Sequence, residues 1–263
     1  MINYYDIDSE VIAFSTTRKG GNSKGNYSEF NINEYCGDDM DAVQKNRQLL
    51  SDELGINVNH LIIPHQTHGI ELRQIGSDFF TLPEQIRRML IDGVDGVFTS
   101  VPDVCIGVST ADCIPVLLYD TEHKAVCAVH AGWRGTMARI VQKAVVEMQN
   151  AFHTKPSSLK ACIGPGISLE HFEVGEEVYN AFCEAGFEME KIAEKHDKWH
   201  IDLSRCNEIQ LEQTGLVPDN ISVCGVCTYT HVDEYFSARR LGIASGRIFS
   251  GIMVRRSSNK SKK

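Results

Sequence analysis

Polar and apolar residues recur along this chain with two periods, and these locate its elements. Residues 11–17, Val-Ile-Ala-Phe-Ser-Thr-Thr, read as a strand stopped at Gly20 and Gly21, with a Gly-, Asn- and Ser-rich loop running on to Tyr27. Residues 39–54 read as a helix whose apolar face is Val43, Leu49, Leu50 and Leu54, with Gly55 as its stop. Strands are predicted at 61–63, 70–75, 93–99, 105–109, 114–119 and 125–129. The last two are joined by the polar turn 120–124 and predict a hairpin. Helices are predicted at 137–152, 175–185 and 204–214, the last with Ser204 as N-cap. Strands are predicted at 159–163, 221–228 and 247–254.

Strands that follow one another without an intervening helix argue against a doubly wound parallel sheet. The predicted class is α+β, a single domain over residues 1–254 with mixed β-sheets flanked by helices, followed by a basic tail at 255–263 read as a frayed end. With 263 residues the chain can bury roughly 75% of the surface its unfolded form exposes, so no covalent staple is required. A net charge of −9 disfavours nucleic acid as a partner, because phosphate backbones demand clustered Lys and Arg. No apolar run approaches the ~18 residues of a membrane span. Nine cysteines, an odd number without regular spacing, fit reduced thiols in a cytoplasmic protein.

Chemistry concentrates at 104–136. Cys113 opens one strand of the predicted hairpin and His130 closes the other, so pairing brings them to the same end. A second imidazole, His68 in Pro64-His65-Gln66-Thr67-His68-Gly69, is read at another strand edge. One sulfur and two imidazoles suit an open zinc site with a fourth position for water, whereas Cys113 with His130 alone suits a thiol hydrolase. Asp112 and Glu173 are candidate general bases. Arg47, Asn31 and Arg240 are candidates for holding an anionic substrate, as are Arg134, Arg239 and Arg247 beside glycines or in a pair. Cys224-Gly225-Val226-Cys227 has redox-motif spacing but no second pair, and reads as buried strand thiols.

The blocks Gln66-Thr67-His68-Gly69, Asp95-Gly96-Val97, Thr110-Ala111-Asp112-Cys113-Ile114-Pro115-Val116 and Ala128-Val129-His130-Ala131-Gly132-Trp133-Arg134-Gly135-Thr136 resemble the YfiH/YlmD family of laccase-domain, polyphenol-oxidase-like proteins. Ile163-Gly164-Pro165-Gly166-Ile167, Phe172-Glu173-Val174-Gly175 and Phe236-Ser237-Ala238-Arg239-Arg240 extend the likeness over nearly the whole chain. Phe172 stands where Tyr is usual, and Thr67 where an aliphatic residue is common.

The resemblance implies a YfiH-like α+β fold and a zinc-dependent purine nucleoside enzyme. It would cleave adenosine, inosine and methylthioadenosine with phosphate and deaminate adenosine, with zinc on His68, Cys113 and His130. Asp112 or Glu173 would then move protons, and Arg47 with Asn31 would clamp phosphate. The alternatives attached to the same residues are copper-dependent phenol oxidation, a Cys–His hydrolase, and peptidoglycan editing. Copper sites of the blue or trinuclear kind call for more imidazoles than this trio supplies.

Overall fold

Two sheets lie face to face, and each has helices on its outer side. The computed structural model describes residues 1–256, so 257–263 of the tail expected at 255–263 lie outside the described residues. The five-stranded sheet runs Ile2–Tyr5, Val11–Thr16, Ile248–Val254, Cys105–Thr110, Leu61–Ile62, antiparallel except for its last pair. The six-stranded sheet runs Ile221–Val223, Leu159–Ile163, Ile114–Asp120, Ala125–Ala131, Gly96–Thr99, Leu72–Gln74, with a parallel pair at each edge. Glu173–Val174, Trp199–Ile201 and Ala193–Lys195 form a small third sheet.

Period-two alternation builds the layers. Along Ile114–Asp120, Leu117 and Tyr119 join Ala13, Ile106, Val108 and Ile252 in the core between the sheets. Ile114, Val116 and Leu118 face the other way, onto Ile140, Val141 and Ala144 of helix Ile140–Phe152 and onto Leu203 and Leu211 of helix Leu203–Gln213. On the far side of the five-stranded sheet, Phe14, Phe249 and Met253 pack against Leu50 and Leu54 of helix Met40–Leu54. That helix starts where Asp39 accepts the Ala42 N–H at 2.9 Å and stops at Gly55, whose φ of 68° is cheap only for glycine. The α+β reading, the mixed sheets and the 114–131 hairpin are all present.

Several boundaries differ from the sequence reading. The helix expected at 137–152 is two: Trp133–Met137, then Ile140–Phe152, with Arg139 between them at φ 61°. Helix Leu203–Gln213 sets the break, because Gln210 donates to the Thr136 carbonyl and Asn207 to its hydroxyl. The cap of Leu203–Gln213 is Asp202, whose carboxylate accepts the Arg205 N–H at 2.9 Å, and Ser204 lies inside the helix. The strand expected at 221–228 ends at Val223, two residues before Gly225 turns the chain at φ 66°. Cys224 and Cys227 therefore lie outside the strand. The nine cysteines are free thiols. Among the described residues no helix is long and apolar enough to cross a membrane.

Candidate metal centre

The chain crosses from the five-stranded to the six-stranded sheet at two places that matter here, and each crossing delivers one side chain to the same point. His68 lies between Leu61–Ile62 and Leu72–Gln74. Cys113 ends the three-residue link from Cys105–Thr110 to Ile114–Asp120. His130 comes from the end of Ala125–Ala131, where it pairs with Pro115 across the hairpin. The donor atoms of His68, Cys113 and His130 all lie within 4.8 Å of one another.

Both crossings are bent by residues in left-handed backbone conformation, His68 at φ 61° and Asp112 at φ 88°. Each bend is held by hydrogen bonds. The buried carboxylate of Asp95 accepts the N–H groups of Thr67 at 3.2 Å, His68 at 3.0 Å and Gly69 at 2.7 Å. The carboxylate of Asp112 accepts the Thr228 hydroxyl at 2.7 Å and the Arg239 N–H at 2.7 Å.

Asp95 has a second task. Its Oδ1 lies 2.7 Å from Nδ1 of His130, which fixes the ring and leaves Nε2 to face a cation. Burial would raise the Asp95 carboxyl, but the bonds from His130, Gly69 and Thr67 outweigh it and hold the group below the usual range. Burial would also push the Cys113 thiol up, yet the adjacent imidazoles of His130 and His68 bring it down. The His130 imidazole moves in the opposite direction: burial disfavours its charge, and Cys113 with Asp95 restores it, so its pKa is raised. A thiolate beside two imidazoles, with a carboxylate behind one of them, is a donor set of zinc-binding type.

Space at the centre is reserved by Gly132. A Cβ there would stand 3.1 Å from Cδ2 of His68, 3.2 Å from Sγ of Cys113 and 3.6 Å from Cε1 of His130. Its φ of −68° is open to any residue, so the constraint is room and not backbone conformation. Tetrahedral zinc bond lengths imply donor separations of roughly 3.3–3.6 Å. A small contraction of the trio therefore closes it around an ion. A cavity of about 140 Å³ opens beside the two imidazoles, lined also by Tyr35, His65, Ser109 and Arg247.

Of the other residues named from sequence, Arg247 lines this cavity, whereas Arg47, Asn31, Glu173 and Arg240 stand apart from its lining. Arg47 lines a neighbouring cavity of about 110 Å³ with Glu34, Arg87 and Arg88, and Tyr35 is common to both cavities. Its guanidinium lies 3.6 Å from the Glu34 carboxylate. Asn31 is buried. It donates to Asp38 at 2.9 Å and accepts the Arg247 N–H at 3.1 Å, so it positions the loop that carries Tyr35. Glu173 is ion-paired with Lys198 at 2.7 Å, and Arg240 lies over the Tyr229 ring at 5.0 Å. The sequence reading gave no role to Asp95 or His65, whereas the small residues flanking Trp133 and Arg134, Gly132 among them, read as leaving space beside the His130 imidazole. For His65 the signal was present, three residues ahead of His68; for Asp95 it exists only once the crossings are folded.

Known proteins are similar to this chain over nearly its full length. A purine nucleoside phosphorylase of Bacteroides thetaiotaomicron is 45% identical over 259 residues, covering 97% of this chain and 96% of its own. Adenosine deaminase RL5, from an unknown prokaryotic organism, is 39% identical over 245 residues, 92% of this chain and 93% of its own. The crystal structure of YlmD from Geobacillus stearothermophilus superposes with a TM-score of 0.86 at 27% identity, covering 96% and 94% of the two chains. Residues 12–255 match the family described as multi-copper polyphenol oxidoreductase laccase, and the chain belongs to that family.

Proposed function

We propose that this chain is a zinc-dependent purine nucleoside phosphorylase. It converts adenosine, inosine or methylthioadenosine and phosphate into free base and pentose 1-phosphate, with deamination of adenosine as a second activity. The observation that carries this reading is the convergence of His68, Cys113 and His130 beside an open cavity. The chain's similarity to proteins named purine nucleoside phosphorylase and adenosine deaminase supports the choice of substrate.

Zinc held by the trio supplies a Lewis acid at the cavity wall. The protein's own groups do the rest. Asp95 keeps His130 oriented and the His68 bend closed, and Gly132 leaves the room. Arg47 holds phosphate from the adjoining cavity, across the shared Tyr35 wall, with Asn31 positioning the loop between them. Asp112 locks the Cys113 crossing to Thr228 and Arg239, while Glu173 and Arg240 stand outside the cavity lining and are assigned no step.

The test is to replace His68, Cys113 and His130 singly by Ala and to measure bound metal together with inosine and adenosine turnover. Each variant is expected to lose most bound zinc and most turnover. Retention of both in all three variants overturns the assignment. So does a wild-type protein that carries copper, oxidises phenols and leaves nucleosides untouched.

A further inference from the structure

The cavity beside the trio is lined by a third imidazole, His65, together with His68 and His130. Its main chain is clamped on both sides: its N–H donates to the Ile91 carbonyl at 2.9 Å, and its carbonyl accepts the Val94 N–H at 3.1 Å. Its ring is fixed as well. Nδ1 lies 2.6 Å from Oδ1 of Asp92, and the ring stacks on Tyr35 with centroids 4.3 Å apart and planes inclined by 24°. A ring held by a carboxylate at one nitrogen and by an aromatic face has Nε2 left for proton exchange.

The two carboxylates expected to move protons are otherwise engaged. Both oxygens of Asp112 accept structural hydrogen bonds, and Glu173 is paired with Lys198 away from the cavity lining. Asp92 and Tyr35 touch His65 directly, and Cys36, His68, His130 and Arg247 share its cavity. The Tyr35 phenol stays protonated, pushed up to about 12 by burial and by Glu34.

We propose that His65, oriented by Asp92, is the general acid of phosphorolysis and donates its Nε2 proton to N7 of the departing purine. The proposal rests on the phosphorylase reading above. A phosphate oxygen forms its bond to C1′ as the C1′–N9 bond breaks, and the electron pair of that bond passes into the purine. The proton from His65 lands on N7, so the base leaves neutral. Hydrogen phosphate loses its proton on becoming the sugar ester, and that proton restores His65. Asp92 stabilises the charged ring and takes no proton itself, the role of the carboxylate in a catalytic triad.

The experiment compares zinc-loaded full-length wild type, His65→Gln and Asp92→Asn on inosine and on 7-methylguanosine, with zinc content measured on each preparation. 7-Methylguanosine already carries a positive charge on its five-membered ring, so its base departs without protonation at N7. His65→Gln is expected to lose about 10²–10⁴-fold in kcat on inosine. It should keep its zinc and turn over 7-methylguanosine near the wild-type rate, and Asp92→Asn should fall on inosine by a smaller factor. Equal losses on both nucleosides would show that His65 only shapes the cavity, and an undiminished rate on inosine would show that it has no part; either result overturns the proposal. A wild type inactive on both nucleosides overturns the phosphorylase reading, and this step with it.

Discussion

At the residue scale the centre is governed by two neighbours that bind nothing themselves. Gly132 has ordinary backbone angles, so replacing it with Ala adds one methyl group and little else. That methyl would press on His68 and Cys113 and come into ordinary contact with His130. Gly132→Ala is expected to fold with wild-type secondary structure by circular dichroism and to bind zinc far more weakly in a competition titration. Unchanged zinc affinity would mean that the trio has more freedom than its packing shows. Asp95 acts through charge and direction. Asp95→Asn keeps the shape but cannot accept at both oxygens, so it loses part of the support for the His68 bend and for the His130 ring. Losing such a carboxylate behind a metal-binding imidazole typically weakens metal affinity by about 10–100-fold. Zinc competition titration reads this directly.

Elements were legible from sequence where local rules decide them. Alternation along 114–119 and 125–129, with polar residues between, fixed the hairpin, and the hairpin brought Cys113 and His130 to one end. The break at Arg139 was not legible, because helical periodicity continues through it and the chain is redirected by Asn207 and Gln210, some seventy residues away. Asp202 and Ser204 are both cap-type residues two positions apart, and local sequence does not say which of them starts the helix. His68 was placed at a strand edge, whereas its position depends on a loop wrapped around a carboxylate 27 residues later.

The hairpin turn carries a pH dependence of its own. Asp120 accepts the N–H groups of Glu122 at 2.9 Å and His123 at 3.2 Å, the Ser158 hydroxyl at 3.2 Å, and lies 2.9 Å from Nδ1 of His123. Burial raises its carboxyl, and the Thr154 side chain, the His123 ring and the N–H groups of His123 and Glu122 outweigh burial and lower it. A depressed carboxylate contributes stability that is fully present above its unfolded pKa, about 3.9. The contribution is lost as pH falls through the lower, folded value. Asp120→Asn should therefore cost about 1–3 kcal/mol at pH 7. It should also show a shallower loss of stability between neutral and acid pH than wild type does. Denaturant titrations at both ends of the range check it.

For the whole molecule, the centre joins two layers that also meet across a shared apolar core. Ala13, Ile106, Val108 and Ile252 from one sheet and Val97, Leu117, Tyr119 and Ala128 from the other fill the space between them. Leu117 has no exposed surface, and Leu117→Ala is expected to cost about 2–5 kcal/mol, read as a lower denaturation midpoint. An ion that binds only the folded chain adds stability by mass action, about 2.7 kcal/mol when free zinc is 100 times Kd. A chelator should accordingly lower Tm in wild type and leave it nearly unmoved in Cys113→Ala.

The link between Thr110 and Ile114 is only Ala111, Asp112 and Cys113, one of them already in a left-handed conformation. So short a bridge cannot absorb length change. One residue added there would either push the sulfur past its partners or slip Ile114–Asp120 by one position, which would turn Leu117 and Tyr119 outward and Val116 and Leu118 inward. Evolution or design can lengthen this protein at many surface bends, but at this seam the spacing between layers and the reach of the thiol are a single dimension, and neither can be altered while the other is kept.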